Sequence, residues 1–360
     1  MSPHEELAVE RGARSGATIA VAIHSTLLGP ALGGARMWHY ECDGDAIADA
    51  MRLAEAMTHK AAAAGLALGG GKGVIATPTA ERPAGALRTA MLLDFGDLVE
   101  SLEGRYVTAE DVGTGADDMA VIARRTHHVL GLDTRRGGSG DPSPLTALGV
   151  RGAMRACCNH RWGTPELAGR RIVVIGFGHV GAELAGLLRD DGAELVVTDV
   201  DRSYRAAAEA LGASWVEAET ALSLECDVLA PCALGGAVDR DSVERLRCAV
   251  LCGAANNVLA DEGLARRLQE RGILYAPDFI ANAGGLISVY GELTGTPPEA
   301  ALRMSRQIEQ TTASILVEAE RGRTHLLAAA RKRSRRRLGG GGAAAAVPDG
   351  EPVGARLRDF

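Results

Sequence analysis

The tightest constraint on how this 360-residue chain can fold lies in Leu167-Ala-Gly-Arg-Arg-Ile-Val-Val-Ile-Gly-Phe-Gly-His-Val-Gly. Ile172 to Ile175 is an unbroken β-branched run, the pattern of a strand buried on both faces of a parallel sheet. Gly176, Gly178 and Gly181 then form G-x-G-x-x-G, and Ala182 to Arg189 reads as a helix. A second strand, Leu195-Val-Val-Thr-Asp199, ends in an acid. Its distance from Gly181 is close to the ~20 residues that bring a carboxylate to a ribose. G-x-G-x-x-G alone is a weak signal. With strand, helix and acid in place it predicts a Rossmann-type, doubly wound unit. The glycines let a pyrophosphate approach the backbone, and the helix N-terminus supplies amides and a positive dipole end. Asp199 would accept from a ribose 2′-hydroxyl and repel a 2′-phosphate, so the cofactor expected is NAD rather than NADP. The expected contacts are Gly176, Phe177, Gly178, His179, Val180, Gly181, Ala182 and Asp199.

Further strands are readable at Val228-Leu-Ala-Pro-Cys-Ala, Ala249-Val-Leu-Cys-Gly and Ile273-Leu-Tyr-Ala-Pro. Cys232 and Ala233 close the first of these strands and Asn256 and Asn282 stand in the loops after the other two, and such strand ends and loops line the cofactor site in open α/β sheets. Ahead of this unit, residues 135–144 are rich in Gly, Ser and Pro, as a linker would be. Before the linker a second α/β unit is expected, with a strand at Thr18-Ile-Ala-Val-Ala-Ile-His, a helix over Ala46 to Met57 and a strand beginning at Gly73. A helical run from Pro298 to Glu320 places Leu302, Ile308, Ile315 and Leu316 on apolar faces, and is expected to pack on the first unit. The fold class is therefore α/β in two domains. Residues 1–140, completed by 285–330, form an N-terminal α/β substrate and oligomerisation domain; residues 141–284 bind NAD; residues 331–360 are a basic, low-complexity tail expected to be disordered, its basic run an exposed helix end leading into it.

Composition excludes several classes of function. The net charge is −7, so the basic run Arg331 to Arg337 sits on an acidic chain, and no aromatic interleaves it as nucleic-acid binding would want. Seven cysteines, an odd number with no C-x-x-C, fit a reduced cytoplasmic protein rather than a disulfide framework or zinc site. No metal-ligand spacing is visible, no signal peptide opens the chain, and no apolar run reaches membrane-spanning length.

Chemistry is concentrated elsewhere. Of 39 basic residues only Lys60, Lys72 and Lys332 are lysines. Lys60 and Lys72 share the stretch Met57-Thr58-His59-Lys60-Ala-Ala-Ala-Ala-Gly-Leu-Ala-Leu-Gly-Gly-Gly-Lys72-Gly. A lysine in a desolvated site can give up its proton, whereas arginine keeps its own. Small apolar neighbours and a nearby second cation would lower such an amine's pKa, although two solvated surface lysines are the plainer alternative. Gly70-Gly71-Lys72 is not a phosphate-binding P-loop, because Leu66 stands for the first glycine and Gly73 for the Ser or Thr. Asp111, in Thr108-Ala-Glu-Asp111-Val-Gly-Thr, reads equally as a cleft carboxylate or as the cap of a helix starting near Gly115.

These stretches resemble the Glu/Leu/Phe/Val dehydrogenases. Gly29-Pro-Ala-Leu-Gly-Gly-Ala-Arg36, Lys60 through Lys72, the Asp111 motif, Asp141-Pro-Ser-Pro-Leu-Thr146-Ala, Pro231-Cys-Ala-Leu-Gly, Gly253-Ala-Ala-Asn-Asn257 and Ala276-Pro-Asp-Phe-Ile-Ala-Asn282-Ala-Gly-Gly occur in order from about residue 15 to 325. The resemblance is closest to the leucine, valine and phenylalanine enzymes. It implies a cytosolic homo-oligomer working on an amino acid, a 2-oxo acid and ammonia, with catalysis in a cleft between two domains. It implies Lys72 as the general base on water, Asp111 as proton shuttle to the amino nitrogen, and Lys60 as holder of the α-carboxylate. Leu32, Gly33, Gly34, Ala109 and Asn282 would surround the substrate, while Thr146 and Asn256 would orient the nicotinamide. Members acting on glutamate carry a lysine at the position of Leu32. An apolar residue there argues against a buried second carboxylate, which would lack a partner. A branched-chain L-amino acid is the expected substrate and L-phenylalanine the alternative; a dinucleotide-binding regulator without catalysis is the rival class.

Overall fold

The computed structural model describes residues 4–132, 138, 140–233 and 235–340. They divide into two compact units: the described part of Met1–Gly140 with Val289–Thr296 and residues 334–340, and Asp141–Ser288 with Pro297–Arg333.

In the first unit, β1 (Glu6–Arg11), β2 (Thr18–Ser25), β3 (Ala31–His39), α1 (Asp43–Ala63), β4 (Gly69–Thr77), α2 (Gly85–Ser101), β5 (Tyr106–Glu110) and α3 (Ala116–Ile122) follow one another. The sheet order is β1-β2-β4-β3-β5. β1 and β4 run antiparallel to β2, whereas β3 lies parallel to both β4 and β5. Alternation along β2 assigns its faces. Ile19, Val21 and Ile23 join Met91, Leu92 and Phe95 of α2 in one core, while Ala20 and Ala22 pack with Val74 on Ala46, Ala50 and Ala54 of α1. An alanine every fourth residue makes α1 smooth enough to lie close over β2 and β4, so a core with few aromatics still fills. α1 is longer than Ala46 to Met57: Asp43 and Asp45 favour its first turn, and Lys60 stands in its last.

The second unit runs α4 (Ser143–Trp162), β6 (Arg171–Ile175), α5 (His179–Asp190), β7 (Glu194–Thr198), α6 (Arg205–Ala210), β8 (Ser214–Trp215), α7 (Ala218–Ala221), β9 (Glu225–Pro231), α8 (Ser242–Arg245), β10 (Arg247–Leu251), α9 (Leu264–Glu270), β11 (Leu274–Tyr275) and α10 (Asp278–Ala281). Its six parallel strands are ordered β11-β10-β9-β6-β7-β8. This is the doubly wound dinucleotide-binding order, with the reversal of direction beside β6.

Two expectations about the C-terminal part are corrected. The division of units falls inside α11 (Gly284–Thr294) and α13 (Leu326–Gly339), and α12 (Pro298–Gly322) packs on α4 of the second unit rather than on the first. Gly149 and Gly152 of α4 make the reason visible. A Cβ at Gly149 would stand 2.5 Å from Ile308, and one at Gly152 3.2 Å from Glu309, so the glycines let α12 sit against α4. Ile308, Ile315 and Leu316 are buried there, but Leu302 is exposed. The basic segment is no loose tail over 331–339: α13 carries it as helix, with Ser334 buried and bonded to His59 at 2.8 Å and Arg337 donating to the Ala62 carbonyl. The remainder of the expected tail, 341–360, and residues 135–137 and 139 of the segment expected as linker lie outside the described residues.

Candidate active site

Lys72 stands on β4 opposite Ala22 of β2, so its side chain leaves the sheet on the α1 side with Gly70 and Val74. Register carries the same face across β3 and β5. Leu32 pairs with Gly70 and Val107, Gly34 with Ala109, and Arg36 with Val74. Asp111 follows directly after β5 and continues the row of Val107 and Ala109. Leu32, Gly34, Arg36, Lys72, Ala109 and Asp111 therefore share one sheet face.

The geometry there is polar and dense. Lys72 Nζ lies 2.8 Å from Asp111 Oδ2, and Arg36 Nε donates to the same oxygen at 3.0 Å. Arg36 Nη1 reaches Asp49 of α1 at 3.0 Å, and Asp49 also accepts from Tyr40 and Arg52 at 2.8 and 2.6 Å. Lys72 is 4% exposed. Burial lowers its pKa, against the opposing pull of Asp111. The leading like charge acting on it belongs to Arg36, not to Lys60 as the sequence suggested. Asp111 is held below the usual carboxylate range by Lys72 and Arg36, which outweigh its burial.

The loop after β5 explains the motif Asp111-Val-Gly-Thr. Thr114 Oγ1 accepts from the Asp111 amide at 3.0 Å and donates to the Ala35 carbonyl at 2.8 Å. Gly113 takes φ +84°, and a Cβ there would fall 2.0 Å from the Met37 carbonyl. Asp111 is not a helix cap. Gly115 caps α3, and Asp118 completes that cap. Lys60 is half-buried in the last turn of α1. The neighbouring Thr58 bonds His24 at 2.9 Å, and a Cβ on Gly70 would strike its backbone. Tyr106 donates to the Gly33 carbonyl at 2.6 Å.

In the second unit the three glycines have separate duties. Gly176 holds φ +104° against Ala233, Gly181 lets α5 close on the Gly176 carbonyl, which a Cβ there would meet at 2.0 Å, and Gly178 caps α5 with open space where a Cβ would point. Asp199, half-buried at the end of β7, accepts from the amides of Phe177 and Asp201 at 2.6 and 2.9 Å. His179 is exposed and lies 3.4 Å from Asp141; Val180 and Ala182 continue the first turn of α5. Cys232 has its thiol pushed up to about 12 by burial, as an inert lining residue would. Thr146 is buried on α4, donating to the Pro142 carbonyl at 2.9 Å. Asn282 donates to Asn256 at 2.9 Å and to the Ala254 carbonyl at 3.1 Å, while its buried Oδ1 has no partner among the described residues.

Residues 6–128 match the family described as Glu/Leu/Phe/Val dehydrogenase, dimerisation domain, and residues 197–338 match Glutamate/Leucine/Phenylalanine/Valine dehydrogenase. Leucine dehydrogenase of Thermoactinomyces intermedius is 42% identical over 320 residues, covering 88% of this chain and 86% of that protein. The chain belongs to the Glu/Leu/Phe/Val dehydrogenase family. Valine dehydrogenase of Streptomyces virginiae is 44% identical over 321 residues, 88% of each chain. Among solved structures, L-tryptophan dehydrogenase from Nostoc punctiforme is 34% identical with a TM-score of 0.82, covering 94% of this chain and 97% of its own. Residues 150–240 also match the NAD-binding domain of D-isomer specific 2-hydroxyacid dehydrogenases, in keeping with the strand order above. The protein is thus an amino-acid dehydrogenase, an oxidoreductase acting on CH–NH2.

Within each unit the site residues named from the sequence fall into coherent groups. Lys72, Asp111, Leu32, Gly34 and Ala109 occupy one face in the first unit. The glycine loop, Asp199 and Cys232 gather at the carboxyl ends of β6, β7 and β9 in the second. Sequence reasoning missed the roles of Arg36, Asp49 and Tyr40. Arg36 stood inside a quoted motif, but nothing in its spacing foretells a bond to a residue 75 positions away.

Proposed function

We propose that the enzyme catalyses NAD-dependent, reversible oxidative deamination of a branched-chain L-amino acid to its 2-oxo acid and ammonia. The observation that carries this reading is a buried amine in contact with a carboxylate, Lys72 on Asp111, on a sheet face floored by buried, apolar Leu32 and Ala109. An aliphatic side chain loses nothing on such a floor, whereas a second carboxylate would lose its water without gaining a partner. A larger aromatic side chain is the second reading, favoured by the likeness to L-tryptophan dehydrogenase.

The second unit fits a dinucleotide. Gly178 leaves room at the N-terminus of α5, and Asp199 keeps lone pairs free for ribose hydroxyls, while its charge and that of neighbouring Asp201 disfavour a 2′-phosphate. Bound NAD would accept the hydride from the substrate α-carbon. The chain's residues do the rest. Asp111, held as carboxylate, takes a proton from the substrate ammonium so that the nitrogen lone pair can form the imine. Lys72, its pKa lowered by burial, takes a proton from the water that adds to the imine carbon. Asp111 then returns its proton to nitrogen, and ammonia leaves as the carbonyl forms, the hydroxyl proton passing to Asp111 and the proton on Lys72 to solvent. Lys60, as an ammonium, binds the α-carboxylate. Asn282 offers Oδ1 as an acceptor for a substrate N–H, and Thr146 and Asn256 orient the nicotinamide.

A homo-oligomer is part of this reading, supported by the description of the matched N-terminal region as a dimerisation domain and by edge strand β1, which exposes Leu7 and Val9. Seven free cysteines suit a reducing cytoplasm, and no helix among the described residues is long and apolar enough to cross a membrane. The test is stoichiometry with leucine and NAD. One NADH, one ammonia and one 2-oxo acid per amino acid consumed is the predicted result, and NAD binding without ammonia release would refute it.

A further inference from the structure

Two cations meet on one oxygen of Asp111. Lys72 Nζ and Arg36 Nε both address Oδ2, and among the described residues no hydrogen bond is made to Oδ1. Arg36 is itself locked at its other end, where Nη1 donates to Asp49, which Tyr40 and Arg52 also hold. A guanidinium is rigid and planar, so fixing Nη1 on α1 fixes the direction in which Nε points. A lysine could supply the charge at this position but could not span both carboxylates.

We propose that Arg36 is a positioning residue for the reaction: anchored by Asp49, it pins Oδ2 of Asp111 so that Oδ1 is the oxygen that exchanges the proton with the substrate nitrogen. This rests on the assignment of Lys72 and Asp111 made above. With Oδ2 held by two donors the carboxylate cannot turn about its χ2, and Oδ1 keeps both lone pairs for the incoming N–H. The charged groups facing Asp111 are Lys72 from β4 and Arg36 from β3; behind Arg36 stand Asp49 and Arg52 of α1 and Tyr40 after β3, and Tyr106 of β5 lies within its field. The guanidinium favours ionised Asp111 and neutral Lys72 together, because it attracts the carboxylate and repels the ammonium. Those are the two protonation states that deamination requires.

Removing the cation therefore moves both groups in one direction. In Arg36→Gln, Asp111 ionises less readily and Lys72 holds its proton to higher pH. The rising limb of kcat against pH for leucine deamination shifts to higher pH, and kcat at the wild-type optimum falls about tenfold or more, while the leucine KM and NAD affinity change by less than about threefold. Arg36→Lys restores the limb but not kcat, since charge returns without the bridge. Asp49→Asn removes a carboxylate that helps Lys72 keep its proton, so the limb moves to lower pH, opposite to Arg36→Gln, and kcat falls several-fold because Arg36 loses its anchor. A merely structural role would lower the melting temperature without moving the limb. An unmoved limb in Arg36→Gln overturns the proposal; if that variant does not fold, wild-type kcat in Asp49→Asn overturns it instead. A wild-type enzyme that reduces no NAD with any apolar amino acid would refute the assigned function, an outcome distinct from active wild type with an unaffected Arg36→Gln.

Discussion

Gly34→Ala tests whether the placement of Asp111 matters as much as its identity. Gly34 of β3 lies opposite Ala109 of β5, and a Cβ on it would stand 2.5 Å from the Glu110 carbonyl oxygen and 2.7 Å from the Asp111 Cβ. Ordinary contact needs roughly 3.5 Å, so the Glu110–Asp111 segment has to move by about 1 Å. Asp111 Oδ2 now sits 2.8 Å from Lys72 and 3.0 Å from Arg36, and such a shift breaks one bond or the other. A misplacement of ~1 Å in a reacting group costs on the order of a hundredfold in rate. The predicted result is a fall of about 10²-fold in kcat/KM for leucine with NAD affinity unchanged, accompanied by an overpacking cost of ~1–3 kcal/mol in stability. Gly186→Ala is the control. It lies in α5 with open space around it, so alanine gains ~0.5–1 kcal/mol of helix stability and leaves rate untouched. Steady-state kinetics with thermal melts reads both. A folded Gly34→Ala enzyme with wild-type kcat/KM would refute the reasoning.

Other perturbations follow from the same geometry. Lys72→Ala abolishes deamination while NAD affinity, measured by fluorescence titration, stays within about threefold, because the amine lies in the first unit and the glycine loop in the second. In the wild type, activity rises with pH as Lys72 gives up its proton, and since burial lowers that pKa the rise comes below the ordinary lysine value of 10.5; a profile still climbing above it would contradict the burial argument. Asp199→Ser removes the charge that faces a 2′-phosphate, so kcat/KM with NADP rises about tenfold or more relative to NAD; an unchanged ratio would place the ribose contact elsewhere.

The glycine loop and the strand ending at Asp199 were legible because their signals are local, a backbone conformation and a strand end; a rare amine singled out Lys72, but the cation acting on it is Arg36 and not Lys60. The α1 side of the sheet was legible only in part. The strand was expected to begin at Gly73, whereas β4 starts at Gly69 and includes Lys72; the partners there come from β3 and α1, and pairing at that range leaves no periodic trace. Arg36 and Asp49 belong to this class. α12 was assigned to the wrong unit for a different reason. Its apolar positions were read correctly apart from Leu302, yet an apolar stripe does not name its partner. The signal was on the other helix, in Gly149 and Gly152 three residues apart on α4. The basic run was legible as a helix end, but its packing was hidden because charge dominates its composition, while Ala329, Ala330 and Ser334 supply the buried side.

The central claim is that an apolar floor at Leu32 beside Lys72 and Asp111 makes this a branched-chain amino-acid dehydrogenase. The direct test is a kcat/KM series with NAD on L-leucine, L-valine, L-isoleucine, L-phenylalanine, L-tryptophan and L-glutamate at alkaline pH. The predicted result is an aliphatic substrate first, the aromatic ones well below it, and glutamate close to background. Glutamate as the best substrate would contradict the account.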